Sequence, residues 1–208
     1  NAHDVLIQNN IVKGSRYESG VNIKDNANNV SVLRNSIYGN AGIGIDLAGD
    51  SAINENDILD SDTGANNLLN SPGYTSIVED AGDTEVTFTL DVPAGDYRIE
   101  FFSNTDPEFN SNPGEGETFI GSVNVTSTGT GIQEFTHTLS GINHDNMALT
   151  ATEIDNSTFS GFGATSEFGT EGAPYFPYAD LSVTTSLDNP NDIGLTGDIA
   201  TISITVTN

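Results

Sequence analysis

Cysteine and tryptophan are absent from the 208 residues, methionine occurs once, and only five residues are Lys or Arg. Without cysteine the chain has no disulfide framework, no thiolate zinc site and no cysteine nucleophile. Five basic residues against 30 acidic ones leave a formal net charge of -25. Nucleic-acid phosphates and anionic membrane surfaces would be repelled, so no nucleic acid is expected as a partner. No apolar run approaches the roughly 18 to 20 residues of a membrane span, and no membrane insertion is expected. No secretory leader is visible, and the opening at Asn1 reads as that of a processed or excised segment, which leaves secretion open.

What is present argues for packed β-structure. Charged residues make up only 17% and hydrophobic residues reach 35%, too apolar a balance for an acidic disordered chain. Val, Ile, Thr and Phe recur in short strand-like runs, and Gly, Asn, Asp and Ser supply turn chemistry between them. The length fits one or two domains. The charge is uneven. Lys13, Arg16, Lys24 and Arg34 face Asp4, Glu18 and Asp25 within the first 34 residues, whereas Arg98 is the single base of the remainder. A change of surface character is therefore expected between residues 35 and 50.

Residues 1–50 contain a repeat. The segment from Leu6 to Gly14 aligns with that from Val32 to Asn40 at an offset of 26, and Gly20-Val21-Asn22-Ile23 with Gly44-Ile45-Asp46-Leu47 at 24. A period in the twenties with short strands and recurring Asn is a solenoid signature, in which units too small to bury their own apolar face stack. The alignment predicts Asn9 stacked on Asn35, with Leu6, Ile11, Val21 and Ile23 turned inward to meet Val32, Ile37, Ile45 and Leu47. The run from Asn35 to Leu47, N-x-I-x-G-N-x-G-x-G-I-x-L, resembles the last coils of a right-handed parallel β-helix. About two coils are covered, which implies further coils or a partner upstream.

Residues 51–73 form an acidic connecting loop. Asp60, Asp62 and Asn66 stand at i, i+2 and i+6 around Gly64, with Asp57 and Asp50 close by. Alternate residues of a turning loop can aim oxygen ligands at a hard cation, so Asp57, Asp60, Asp62 and Asn66 are candidate calcium ligands. The match to an EF-hand loop is partial for want of an acid at its twelfth position. The alternative is a solvated turn whose Asx hydrogen bonds explain the composition.

Residues 74–169 read as an antiparallel β-sandwich. Strand patterns run over 85–92, 97–102, 119–125, 134–139, 147–154 and near 164–168, punctuated by Gly, Pro, Asn and Asp. The fold class expected for the chain is all-β. The loop from Asn104 to Glu117 carries Asp106, Glu108, Glu115 and Glu117, either as a ligand-contacting loop or as a solvated one. Residues 170–208 begin with the aromatic linker Pro174-Tyr175-Phe176-Pro177-Tyr178 and continue into the strands Asp180–Thr185 and Ile199–Val206. Two strands do not make a stable domain alone, so they belong to a domain completed beyond them or to a sheet in another subunit.

Two further resemblances concern these regions. Arg98-Ile99-Glu100-Phe101-Phe102, the stretch from Gly114 to Gly121, Ala151-Thr152-Glu153 and Ser166-Glu167-Phe168 are together similar to a module that follows a β-helix in large bacterial surface proteins. The Asp180-Leu181-Ser182-Val183 run resembles the first strand of an immunoglobulin-like repeat of such proteins. The resemblances imply a bacterial extracellular or cell-surface location and a structural or adhesive segment, partnered by neighbouring domains or identical subunits. An enzyme is not expected. His3, His137 and His144 are isolated, and two coils give too short a groove for a polymer substrate. A carbohydrate-binding or polysaccharide-processing β-helix protein is the alternative, with Tyr175, Phe176 and Tyr178 able to stack on surface glycans.

Overall fold

The computed structural model describes residues 2–105, 114–141 and 146–170. Its N-terminal part is built from three short parallel pairs. Strands β1 (His3–Gln8), β2 (Ile11–Lys13) and β3 (Val21–Asn22) lie beside β4 (Asn28–Leu33), β5 (Ser36–Tyr38) and β6 (Ile45–Asp46). The pairings Val5↔Val30, Ile11↔Ser36 and Val21↔Ile45 define two stacked rungs with a period of 25, 25 and 24 residues.

The third pair keeps the expected offset of 24, but the first two are one residue shorter than expected. The corners of the coil explain the slip. Left-handed backbone recurs at Asp4 and Asn29, at Asn9 and Arg34, at Gly14 and Gly39, and at Asp25 and Gly49. Gly, Asn and Asp enter that region at little cost, which suits them to corners. Asn9, at φ 58°, therefore turns the chain, and its neighbour Asn10 makes the contact between rungs. The Asn10 backbone N–H donates to Asn35 Oδ1 at 2.9 Å, and Asn35 Nδ2 donates to the Ile7 carbonyl at 2.8 Å. Asn40 repeats the device, accepting from Ser15 N at 3.1 Å and donating to the Val12 carbonyl. The inward set shifts accordingly. Val21 and Ile23 pack inward as expected, but Ile11 is 71% exposed and Leu6 is not part of the apolar cluster, which takes Val5, Ile7 and Val12 instead.

Seven strands form two antiparallel sheets. One has the order β11 (Gln133–Ser140), β8 (Asp83–Leu90), β7 (Gly73–Asp80). The other has the order β10 (Thr118–Ser127), β9 (Gly95–Ser103), β12 (Met147–Ile154), β13 (Phe162–Thr165). The all-β expectation holds throughout the described residues. In β8 the alternation of the sequence becomes alternation of burial, with Val86, Phe88 and Leu90 turned to the core. They meet Ile99, Phe101, Met147 and Leu149 from the other sheet, with Phe88 edge-on to Phe101 at 5.7 Å. Each such side chain stabilises the fold by roughly 2 kcal/mol through burial.

Strands β9 and β12 are buried along most of their length because both faces of their sheet are covered. The far face takes the coil. Phe102, Ala148 and Phe168 form one apolar cluster with Ile23, Val30, Val32, Ile37, Ile45 and Leu47. The alternate residues Ala148, Thr150 and Thr152 of β12 are small, which permits close approach. Coil, loop and sandwich belong to a single compact unit, Asn1–Tyr175, so the boundaries near 50 and 73 separate sequence patterns that share a core. The C-terminal strands expected within 180–206 lie outside the described residues.

Candidate functional site

Two polar constructions stand out, one at the joint between coil and sandwich and one in the acidic loop. At the joint, the outer edge of the second rung needs acceptors, because an unpaired buried N–H is costly. Side chains supply them. On alternate residues of one strand edge, Val30 N donates to Asn66 Oδ1 at 3.0 Å, Val32 N to Thr165 Oγ1 at 2.9 Å and Arg34 N to Glu100 Oε2 at 2.7 Å. Leu47 N donates to Glu167 Oε1 at 2.9 Å, and Gly39 N and Asn40 N donate to the Glu115 carboxylate at 2.7 and 2.8 Å. Ile37 and Gly116 exchange backbone bonds at 2.7 and 2.8 Å.

Glu100 is fully buried and also accepts from Arg98 Nε at 2.7 Å, the ion pair of the described residues. The Arg34 guanidinium lies 5.2 Å from the Phe119 ring centroid. Burial pushes the Glu167 carboxyl up, against the opposing pull of the Leu47 and Asn54 amides. Burial pushes Glu153 up likewise, against the Ala164 amide.

The acidic loop is shaped by asparagine. Asn56 Nδ2 donates to the Ser71 carbonyl at 2.7 Å, and Ser71 N returns a bond to Asn56 Oδ1 at 2.9 Å. Asn70 clasps the loop to the sandwich. Its Nδ2 donates to the carbonyls of Asp57 and Asp91 at 2.7 and 2.6 Å, while its Oδ1 accepts from Asp57 N at 3.0 Å. Leu59 and Asp60 are both left-handed, at φ 56° and 54°, which curls the chain back on itself. Carboxylate oxygens of Asp57, Asp60 and Asp62 thereby come within 4.8 Å of one another.

Asp57 accepts from Ser61 N and Oγ, and Asp60 Oδ1 accepts from Asn70 N at 2.7 Å. Asp62 Oδ1 is buried without a hydrogen-bond partner. Burial, aided by the charges of Asp62 and Asp57, pushes the Asp60 carboxyl up to about 6. Burial and Asp57 push Asp62 up in the same direction. Three oxygen donors of like charge at this separation can coordinate a hard cation.

Of the four expected ligands, Asn66 is not in this group. Its amide is fully buried and used at the joint, where Nδ2 donates to the carbonyls of Val30 and Thr165 at 2.8 and 3.0 Å. The left-handed backbone of Asn66, at φ 48°, turns the side chain toward β4. Asp50 is also apart, accepting from Ala52 N at 3.0 Å on the surface. Asp91, which the sequence pattern did not single out, is not one of these three carboxylates. It follows β8 between the buried Leu90 and Val92, is 9% exposed, and carries a buried Oδ1 without a partner. An acid between two core residues just before Pro93 was the available signal.

Other expected residues are accounted for by packing. Glu115 serves the joint, and Glu117 accepts from Thr105 N at 3.0 Å. His137 stacks on Phe101 at 5.5 Å, and burial lowers its pKa. Asp106, Glu108, His144, Tyr175, Phe176 and Tyr178 lie outside the described residues. No protein-family model matches the chain, and no curated protein is significantly similar to it. Among the described residues no helix is long and apolar enough to cross a membrane.

Proposed function

We propose that the chain is a non-catalytic structural or adhesive segment of a bacterial extracellular or cell-surface protein, in which a sandwich closes the end of a parallel β-helix. The observation that carries this reading is the asymmetry of the two rungs. The second is closed by side chains of the sandwich at Val32, Arg34, Gly39, Asn40 and Leu47, and by Asn66 of the connecting loop at Val30. Among the described residues, β1, β2 and β3 pair on one side only. The first rung also carries two of the large exposed apolar side chains, Ile11 and Tyr17. Such an edge suits a further rung, from a neighbouring part of the same chain or from an identical subunit.

The packing of His137 on Phe101 supports a structural role for that strand rather than a catalytic one. Negative-stain microscopy and light scattering at high protein concentration test assembly through this edge. End-to-end particles that disperse in an Ile11→Glu, Tyr17→Glu variant are expected. Uniform single particles from the wild-type chain at every concentration would remove the self-assembly arm. Turnover of polysaccharide substrates would overturn the non-catalytic reading.

A further inference from the structure

We propose that the open edge of the first rung takes a third parallel rung running directly into β1, a fit that a second copy of the chain offers on one side only. The inference rests on the structural reading above and names the partner of that edge. The chain already enters β1 along the path of the coil. Asn28 N donates to the Ala2 carbonyl at 3.1 Å, so Ala2 leads into β1 above the corner where Ala27 leads into β4.

The backbone of the first rung is set for this partner on all three sides. The amides of Val30, Val32 and Arg34 point away from β1, so alternation along the strand turns those of Ser31 and Leu33 toward it. Their register partners Leu6 and Gln8 share that orientation and face away from β4. Ser36 N donates to the Asn10 carbonyl and Ile37 N to that of Gly116, which by the same rule turns Ile11 N and Lys13 N outward. Val21 N and Ile23 N donate to the carbonyls of Gly44 and Asp46, so Asn22 N is outward too. Side chains repeat the spacing. Asn35 clasps the rung before it through the Asn10 amide and the Ile7 carbonyl. Asn10 holds the equivalent place one rung earlier, and its Nδ2 turns back to the Gln8 carbonyl at 2.9 Å and to Asn35 at 3.1 Å. Asp46 accepts from Ser19 Oγ of the rung before it at 3.0 Å, whereas its register partner Asn22 has a buried Oδ1 without a partner. A third rung with a hydroxyl at the place of Ser19 completes both devices.

A second copy cannot present such a rung. Its second rung is closed by its own sandwich, which leaves only its own first rung to offer. Two first rungs meet about a two-fold axis, and that rotation reverses the strand direction. With the axis through β1, the longest strand of the rung, β2 of three residues meets β3 of two. A parallel rung instead meets β1, β2 and β3 in order, as β4, β5 and β6 do from the other side. Its inward positions carry branched apolar side chains, at the places that Val5, Ile7, Val12 and Val21 hold in the first rung.

The test adds a rung made from the chain's own. Residues 3–27 are duplicated between Ala2 and His3 of the full chain, and urea unfolding and amide hydrogen exchange are followed. One cooperative transition at a higher urea midpoint is expected. The amides of the original Leu6, Gln8, Ile11, Lys13 and Asn22 should exchange at least about a hundredfold more slowly than in the wild type. Asn10→Ala should lower the midpoint at least about twice as far in the duplicated chain as in the wild type, since only there does Asn10 clasp a rung. An added rung carrying Val5→Ser, Ile7→Ser, Val12→Ser and Val21→Ser should neither stabilise nor protect, and equal protection by it would count against a packed rung. An unchanged midpoint, a separate early transition for the added rung, or unprotected amides would overturn the site. Equal protection on all three sides in the concentrated wild-type chain would overturn the choice of partner in favour of a second copy. These readouts leave the closing of the second rung by the sandwich untouched, and turnover of polysaccharide substrates bears on the earlier reading alone.

Discussion

Removing the side chain of Asn35 withdraws an acceptor from the Asn10 amide and a donor from the Ile7 carbonyl, at a position only 2% exposed. Asn35→Ala should cost about 2 kcal/mol, read as a lower urea midpoint. Asn9→Gly should stay within about 0.5 kcal/mol of the wild type, since glycine accepts the left-handed backbone freely. Equal losses in the two variants would restore a register in which Asn9 stacks. The Asn66 amide makes three buried bonds, so Asn66→Ala should cost about 3 kcal/mol, again read as a lower urea midpoint. These cases mark where residue-level reading ran out. Adjacent asparagines at 9 and 10 offer a corner and a ladder contact, and composition alone does not say which does which. Asn66 shares its spacing with the loop acids, but its partners Val30 and Thr165 are distant in sequence, and only tertiary structure reveals them.

At the level of elements, the joint leaves no room for a side chain at Gly44. A Cβ there would stand 2.7 Å from both the Gly114 carbonyl oxygen and the Phe168 ring. Gly44→Ala should cost about 2 kcal/mol by forcing apart coil and sandwich, with the loss visible in chemical denaturation. Strand β8 was legible because one of its faces is covered, so that apolar and polar residues alternate. Strand β12 was legible as a strand, but its small Ala and Thr residues gave no hint that a second layer covers them. Strand β7 was not singled out, since six of its eight residues fall outside the core and its pattern is correspondingly mixed. The acidic loop was legible as a carboxylate cluster.

At the scale of the whole molecule, stability should depend on pH through two carboxyls raised by burial, Glu167 at the joint and Glu153 beside β13 within the sandwich. Glu153 and Glu167 have folded-state pKa values raised by burial, so the folded chain binds their protons more tightly than the unfolded one. Their contribution is complete below the ordinary glutamate value of 4.5 and is lost as pH rises through the raised values. In chelator, the melting temperature should therefore rise as the pH is lowered from neutrality toward that value. Glu153→Gln and Glu167→Gln should flatten the slope, and an unchanged slope would assign the effect to other acids. The joint has a second consequence, in time rather than in energy. The acceptor for Val32 is Thr165, 133 positions later, and that for Leu47 is Glu167, 120 positions later. Loop closure over such distances is slow, and a chain made from its N-terminus has a second rung long before it has a lid. The coil edge must therefore wait, unpaired, until almost the whole of residues 2–170 has emerged, and its closure is among the last steps of assembly.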